Sequence, residues 1–221
     1  VDGGVPAAPG SQTRVPAEGR ITLDVRVLPR MDLTVVPVLL ASNPNSQIFG
    51  WTGGLSPEGS ILRFPRSVLP IGDLDVEVHE PYTTSADLTH PSGWSALLRE
   101  MTVLRLLEGS DRYYYGAVVI PRGSAYGGLG YLGRPISVGA PRDKTLAHEL
   151  GHNLRLRHAP CGGVSNPDPN FPHDGGSTGA WGYDFTGRSG LGWLISPDQY
   201  KDLMGYCNPR WISDYHFKKA M

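Results

Sequence analysis

The chain has 221 residues, of which 39% are hydrophobic, and a formal net charge of −1 at pH 7. This length and composition suffice for one main domain with a single core. The near-neutral charge, without a basic run, argues against nucleic acid or an anionic membrane surface as a partner, and no window approaches the roughly 18 consecutive apolar residues of a transmembrane helix.

The first 32 residues are predicted to be a lead-in or the end of a preceding segment. Residues 1–19 are rich in Gly, Pro and Ala without periodic apolar positions, so we expect an irregular or extended stretch. Residues 21–28 alternate between apolar and polar side chains, which predicts a half-buried strand. Because the chain begins with Val-Asp-Gly-Gly, we interpret it as a processed or excised piece of a larger protein.

From residue 33 onward the pattern is that of a mixed α/β domain. Four apolar runs predict strands, at residues 33–40, 74–79, 113–120 and 136–138. Residues 94–107 predict an amphipathic helix, capped by Ser92 or Ser95 and ended by Gly109.

The segment His148-Glu149-Leu-Gly-His152 has the spacing of a helical metal site. Residues four apart lie on one face of a helix, about 6 Å apart along the axis, so His148 and His152 can direct their imidazoles at one point. Glu149 projects beside that point, where its carboxylate is a candidate general base. The helix is predicted to begin near Asp143 or Lys144, with Asp143 as its N-cap.

A third histidine, His158, can join this site only if the helix ends before it. In a continuous helix His158 would lie about 9 Å further along the axis than His152. A helix that ends near Leu154 or Arg155 and then reverses would bring His158 back as a third ligand. Three protein ligands with an open position are typical of catalytic zinc, whereas structural zinc is closed by four.

These residues resemble the extended zinc signature H-E-x-x-H-x-x-G-x-x-H of the metzincin metallopeptidases. The match covers His148, Glu149, His152 and His158, and Arg155 stands where the family has the glycine at its helix end. Two interpretations are open. Arg155 adopts a left-handed conformation, at a cost of about 1 kcal/mol, or the turn is built differently while His158 still binds the metal. We favour the first, since strained residues are tolerated near functional sites.

A second stretch resembles the methionine turn of the same family. Met204 lies 46 residues after His158 and is followed two residues later by Tyr206. The resemblance implies that Met204 forms a hydrophobic floor beneath the three imidazoles, and that Tyr206 approaches the zinc or stabilises the oxyanion. The alternative for Tyr206 is a buried tyrosine whose hydroxyl is bonded elsewhere.

The two cysteines, Cys161 and Cys207, follow His158 and the methionine turn respectively. Since the resemblance implies that these segments converge beneath the metal, we expect a disulfide, which would contribute about 3 to 4 kcal/mol in the chain-entropy account. The alternatives are two free thiols, or a metal site with cysteine and histidine ligands. A disulfide would indicate an oxidising compartment.

Residues 126–133 interleave glycines with strand-like side chains, which permits close backbone approach. In metzincins the strand at this position forms the upper rim of the cleft and pairs with an extended substrate. The resemblance therefore implies that the substrate-binding residues are Gly128, Leu129, Gly130 and Tyr131. An ordinary glycine-rich loop is the alternative.

Residues 160–192 are rich in Gly, Pro, Asp and Asn, and we expect an irregular C-terminal subdomain that begins near residue 158. His173, in this region, is expected to face solvent, and residues 211–219 predict a short terminal helix. Asp168, Asp174 and Asp184 could provide oxygen ligands for Ca²⁺, although they have no regular ligand spacing. In the family that the sequence resembles, this region shapes a substrate pocket, so Trp181, Tyr183 and Phe185 are candidates for its wall, with ordinary aromatic packing as the alternative.

The resemblance covers about residues 33–219 and implies a metzincin-like α/β (α+β) domain over residues 33–221. Its parts are a mixed twisted sheet with long helices, the zinc helix, and an irregular C-terminal subdomain with the methionine turn and a terminal helix. The implied function is a secreted, monomeric zinc endopeptidase, part of a larger protein, that hydrolyses extracellular proteins or glycoproteins with one Zn²⁺ and a zinc-bound water activated by Glu149. The alternatives are a non-catalytic protein- or glycan-binding module on this scaffold and a zinc hydrolase acting on a non-peptide bond.

Overall fold

The computed structural model describes residues 18–20, 26–184 and 193–221. Within these ranges the strands are β1 (Arg30–Leu40), β2 (Asp73–Val78), β3 (Tyr82–Thr84), β4 (Tyr113–Val118), β5 (Gly128–Gly130), β6 (Ile136–Gly139), β7 (Gly182–Asp184), β8 (Trp193–Ile195), β9 (Lys201–Asp202) and β10 (Arg210–Trp211). The α-helices of the same ranges are α1 (Gln47–Thr52), α2 (Ser60–Val68), α3 (Pro91–Leu107), α4 (Asp143–Asn153) and α5 (Asp214–Ala220). None of these helices is long and apolar enough to cross a lipid bilayer.

A mixed sheet forms the centre of the fold, as the sequence predicted. Its strands lie in the order β2-β1-β4-β6-β5, and β3 also pairs with β1. The pairs are parallel except that of β5 with β6, which is antiparallel. β5 is an edge strand of this sheet, so it presents backbone N–H and C=O groups to a further extended chain.

β1 contributes to two cores because successive side chains of a strand point to opposite faces of the sheet. Leu33 and Val35 pack in the core that includes side chains of α2 and α4. Val36 and Val38 pack on the other face, against side chains of α3. Burial on both faces explains why residues 33–40 read as a nearly continuous apolar run.

The two helices predicted before residue 160 are present, but their predicted N-caps are wrong. α3 begins at Pro91, so neither Ser92 nor Ser95 precedes it. Proline suits the first helical position because its φ is preset and its missing N–H would have no helical partner there. α4 begins at Asp143 itself, with Arg142 as the N-cap residue. A carboxylate in the first turn still interacts favourably with the helix dipole.

The terminal helix is shorter than predicted. α5 begins at Asp214 because the Ser213 hydroxyl oxygen caps it, accepting the N–H of His216 at 3.1 Å. Trp211, predicted to be helical, instead lies in β10. The short elements α1, α2 and β3 were not predicted.

Parts of the predicted structure lie outside the described residues. These parts are residues 1–17 of the lead-in, residues 21–25 of the predicted strand 21–28, and residues 185–192 of the predicted irregular region, which include the aromatic candidate Phe185. Residues 26–28, the described end of that predicted strand, are not in a strand.

Candidate metal centre

Three histidines, His148 and His152 of α4 and His158 in the segment that follows, lie together. One ligand nitrogen from each lies within 4.8 Å of the others. Each Nδ1 also lies close to a backbone carbonyl oxygen, at 2.9 Å from Leu203 for His148, at 2.8 Å from Leu156 for His152 and at 2.8 Å from Ser165 for His158. Because a carbonyl oxygen only accepts, each Nδ1 carries the proton, which leaves Nε2 of each ring as the metal-binding atom.

Burial favours the neutral form of the two helix histidines. Desolvation lowers the pKa of His148 well below its ordinary value, and it lowers the pKa of His152 to about 4. The neutral imidazole is the form that binds a metal ion. In the part of the chain that the structure describes, no other group of three His, Cys, Asp or Glu side chains is close enough to hold a metal.

Arg155 makes the turn that returns His158 to this centre. Its φ is 68°, in the left-handed region. The N–H of Arg155 donates to the carbonyl of His152 at 2.9 Å, and the N–H of Leu156 donates to that of Gly151 at 3.0 Å. These two bonds make a Schellman motif, in which glycine is the usual residue at the Arg155 position. The first of the two interpretations of Arg155 is therefore the one that the structure adopts.

Replacing Arg155 with glycine should stabilise the protein slightly. Glycine removes about 1 kcal/mol of left-handed strain, and its greater freedom in the unfolded chain offsets roughly half of that gain. Arg155→Ala is the matched control, because alanine keeps a Cβ and with it the strain. Urea unfolding should give a higher midpoint for the glycine variant than for the alanine variant, and equal midpoints would contradict the strain at this position.

Glu149 lies beside the histidines with one carboxylate oxygen unpaired. The residue is 5% exposed, and its Oε2 has no hydrogen-bond partner among the described residues. Burial raises the pKa of Glu149 to about 8. A buried polar atom without a partner costs roughly 1 to 3 kcal/mol, so such an atom calls for an explanation, such as a catalytic role or a bound water or ion.

The edge strand β5 runs directly over Glu149. A Cβ built on Gly128 would lie 2.4 Å from Glu149 Oε1, and one built on Gly130 would lie 3.2 Å from Glu149 Oε2. Only residues without a side chain permit this approach. Gly128, Leu129 and Gly130 line an open cleft of about 630 Å³ that also contains the three histidines. Tyr131, the fourth residue predicted to bind substrate, packs with the α3 core instead.

Gly128→Ala should therefore strongly lower the rate of any reaction that uses the Glu149 carboxylate, without preventing folding. The new methyl group would displace the Glu149 carboxylate, and a displacement of about 1 Å in an active site costs on the order of 100-fold in rate. Gly127→Ala is the matched control, since a Cβ on Gly127 would meet no atom within 4 Å. The comparison needs kcat and the unfolding midpoint of both variants. Equal kcat values in the two would show that Glu149 tolerates the displacement.

Met204 lies against α4 in a turn that also supports the first histidine. It is fully buried, and its Sδ would lie 2.5 Å from a Cβ on Gly151, between the two helix histidines in sequence. The neighbouring Leu203 carbonyl is the partner of His148 Nδ1. The turn thus packs on the helix through Met204 and orients an imidazole through Leu203.

Tyr206 lies at the edge of the centre. Its ring centroid is 5.9 Å from that of His148 and 5.4 Å from that of His158. The residue is 46% exposed and lines the cleft, so the alternative of a buried tyrosine does not describe it. Burial of its inner part raises the pKa of Tyr206, and the nearby Glu149 adds to the effect.

Cys161 and Cys207 form the predicted disulfide, with their Cα atoms 5.7 Å apart. The carbonyl of Cys161 also accepts the N–H of Tyr206 at 2.9 Å. The bond therefore joins the segment that carries His158 to the segment that carries Met204 and Tyr206.

Asn153, at the end of α4, is a supporting residue that the sequence did not reveal. Its Nδ2 donates to the carbonyls of Tyr131 at 3.1 Å and Ile136 at 2.9 Å, and its Oδ1 accepts the Ser137 hydroxyl at 3.0 Å. The buried amide thus ties the end of α4 to the chain around β5 and β6. A lone asparagine at a helix end gave no signal of these partners.

Asp202, two residues before Met204, is a second such residue. Its fully buried carboxylate accepts the backbone N–H groups of Met204 and Ser213, each at 2.7 Å, and lies 2.8 Å from His216 Nδ1. The carboxylate fixes the start of the methionine turn against the N-terminus of α5. An isolated Asp in a loop does not predict this role from sequence.

The candidate calcium ligands are not brought together. Asp168 is buried, and its Oδ2 lies 2.5 Å from Lys219 Nζ and 3.2 Å from the Tyr215 hydroxyl. With Asp174 and Asp184 it forms no group that could hold a metal ion within the described ranges.

Three other predictions in this region have mixed outcomes. His173 does not simply face solvent, because α5 brings Asp214 Oδ1 to 2.7 Å from its Nε2 and leaves the side chain 24% exposed. Trp181 and Tyr183 are exposed, and neither is among the described residues that line the cleft.

The region that contains these residues is similar in sequence to a peptidase family. The sequence model of the family described as Peptidase M66 matches residues 102–208, a little under half of the chain. The matched span contains the three histidines, Glu149, Met204, Tyr206 and both cysteines. This match supports a zinc metallopeptidase family and a protein substrate.

One curated relative and one solved structure are also similar to the chain. A dictomallein-like protein from Hahella chejuensis (strain KCTC 2396) is 41% identical over 61 residues, which are 27% of this chain and 10% of that protein. The alignment thus spans a tenth of the relative's length. A structure described as a chaperone-substrate complex aligns with 86% of this chain and 33% of that chain, with a TM-score of 0.44 and 15% identity. A likeness at that score does not define a common fold.

Proposed function

We propose that this chain is the catalytic domain of a secreted zinc-dependent endopeptidase of the metzincin type. The observation that carries the proposal is the buried Glu149, whose Oε2 has no partner among the described residues, beside three histidines whose ligand nitrogens lie within 4.8 Å of one another. A structural metal site would not need a desolvated carboxylate next to its ligands.

The donor set fits zinc. Three neutral imidazoles without a thiolate or carboxylate suit a borderline metal ion, and a set of three leaves one position of a tetrahedral site for water or substrate. Each imidazole is oriented by a carbonyl bonded to its Nδ1, which is the usual outer support of ligating histidines. When bound, the zinc ion would polarise the scissile carbonyl and lower the pKa of the attacking water.

The chain's own residues supply the proton transfers and the positioning. Glu149 accepts the proton of the attacking water and returns it to the nitrogen of the leaving amine. Tyr206, exposed at the cleft edge near His148 and His158, donates a hydrogen bond to the oxyanion. Met204 packs on α4 and is not a ligand.

The substrate is proposed to be an extracellular protein or glycoprotein bound in an extended form. β5 is an edge strand whose glycines bring its backbone over Glu149, so main-chain pairing with the substrate positions a peptide bond beside the carboxylate. The disulfide supports secretion, because such bonds persist in oxidising compartments. We further propose a monomeric domain within a larger protein.

The competing hypothesis is a non-catalytic module on the same scaffold, and Arg155 in the place of the family's glycine is the sequence feature that would favour it. The structure removes that argument, because Arg155 adopts the conformation that a glycine would have at this turn. The third hypothesis, hydrolysis of a non-peptide bond, has no specific observation in its favour.

Cleavage of a denatured protein mixture, followed by mass spectrometry of the products, tests the proposal. We expect new peptide termini with the intact protein, none with a chelator, and their return when zinc is restored. Metal binding without new termini would support the binding module and overturn the peptidase.

A further inference from the structure

A side pocket opens beside Glu149, away from His158. Its volume is about 330 Å³, and its lining includes Tyr126, Thr145, Tyr206 and Arg210. A second pocket of about 550 Å³ lies at the N-terminal end of α4. Thr145 and Arg210 line both pockets, so the two adjoin at these residues and extend the cleft past the catalytic carboxylate.

Arg210 is a half-buried cation without a carboxylate partner. Its Nε donates to the Cys207 carbonyl at 3.1 Å, and its Nη2 lies 3.4 Å from the Tyr206 carbonyl oxygen. It forms no ion pair within the described ranges, and its burial lowers its own pKa. By contrast Arg112, similarly enclosed, contacts Asp75 at 2.7 Å and Glu77 at 3.2 Å. A half-buried guanidinium without a carboxylate partner in the described structure can bind an anionic group that enters these pockets.

The neighbourhood of Arg210 is positively charged. The second pocket is also lined by Arg142, Lys144 and Asp143. Like Arg210, the cations Arg142 and Lys144 do not pair with a carboxylate in the described part of the chain. The Asp143 Oδ1 accepts the backbone N–H of Lys144 at 2.7 Å. With three cations and one carboxylate, the lining attracts an anionic group.

The direction of β5 indicates which part of a substrate reaches this pocket. Gly128 borders the side pocket, whereas a Cβ on Gly130 would lie 3.3 Å from the His152 side chain. A substrate strand that pairs antiparallel with β5 runs from the His152 end towards the Arg210 end. The residues that follow the scissile bond therefore approach Arg210.

We propose that Arg210 determines specificity by binding the carboxylate of an Asp or Glu side chain on the C-terminal side of the scissile bond. The inference rests on the proposed function. Arg210 Nη1, which has no hydrogen-bond partner among the described residues, can donate to that carboxylate. The cations at the start of α4 attract acidic segments to the pocket.

The test uses extended peptides of one fixed sequence, with Glu, Gln or Lys at each of the three positions that follow one central peptide bond. We expect wild-type protein to cleave the best Glu peptide about 10-fold more efficiently than its Gln counterpart, mainly through a lower KM, in line with one charge-assisted hydrogen bond. Arg210→Gln should abolish this preference, Arg210→Lys should restore part of it, and Arg210→Glu should shift it towards Lys. Arg99→Gln, which removes an equal charge on α3, should leave the ratio unchanged.

A purely structural role for Arg210 predicts a different pattern. Its variants would then lower kcat/KM equally for the Glu, Gln and Lys peptides, and that result would overturn the proposal. The affinity of the Glu149→Gln protein for the same peptides is also measured, because binding does not need turnover. If the peptides bind with an Arg210-dependent preference for Glu but the wild-type protein cleaves none of them, the peptidase is overturned and the Arg210 site is kept. If the wild-type protein cleaves the Glu, Gln and Lys peptides equally well, the Arg210 site is overturned and the peptidase is kept.

Discussion

Glu149→Gln should reduce peptide turnover by about 1,000-fold while leaving the fold and the bound zinc unchanged. Glutamine fills the same volume but cannot accept the proton of the attacking water, and general base catalysis contributes on the order of 100- to 10,000-fold. The substitution also removes a buried ionisable group whose Oε2 has no partner among the described residues, so stability should not fall. Rates with a fluorogenic peptide, zinc content and the unfolding midpoint are the measurements.

Glu100→Gln is the matched control for this experiment. Glu100, on α3, likewise has a buried Oε2 without a described partner, but it lies away from the histidines and should retain full turnover. A Glu149→Gln protein that cleaves peptide at the wild-type rate would remove Glu149 from the mechanism.

His158→Ala should lower zinc affinity by more than about 100-fold. Loss of a residue that only hydrogen-bonds to a metal ligand lowers metal affinity by about 10- to 100-fold. His158→Ala removes a proposed ligand itself, so its effect should be larger. Competition with a chromogenic chelator gives the affinity. His173→Ala is the control from the same part of the chain, because His173 contacts Asp214 and is not in the triad. Equal affinity in the two variants would exclude His158 as a ligand.

The part of the site that follows from local geometry could be predicted from sequence. His148, Glu149 and His152 share one helix, so their relative positions depend on the helical repeat alone. The turn at Arg155 needed one assumption, that a non-glycine residue adopts a positive φ, and the structure shows a φ of 68°. The disulfide between Cys161 and Cys207 depended on the resemblance that brought their segments together.

The supporting contacts could not be predicted, because they join residues that are distant in sequence. Asn153 bonds to Tyr131 and Ile136, about 20 residues earlier, and Asp202 bonds to His216, 14 residues later. Arg210 is informative only because it forms no ion pair in the described structure although it lines the side pocket, and sequence alone does not show whether an arginine is paired. The wrong N-cap of α3 has a local cause instead, because Pro91 suits the first helical position and so places the start of α3 before Ser92 and Ser95.

Titration of zinc into metal-free protein tests the central claim most directly, with bound zinc and peptide turnover measured in each sample. The proposed mechanism predicts that turnover is absent without metal, rises in proportion to bound zinc and saturates at one zinc per chain. Full turnover in the metal-free protein, or one bound zinc per chain without turnover of any peptide, would contradict it.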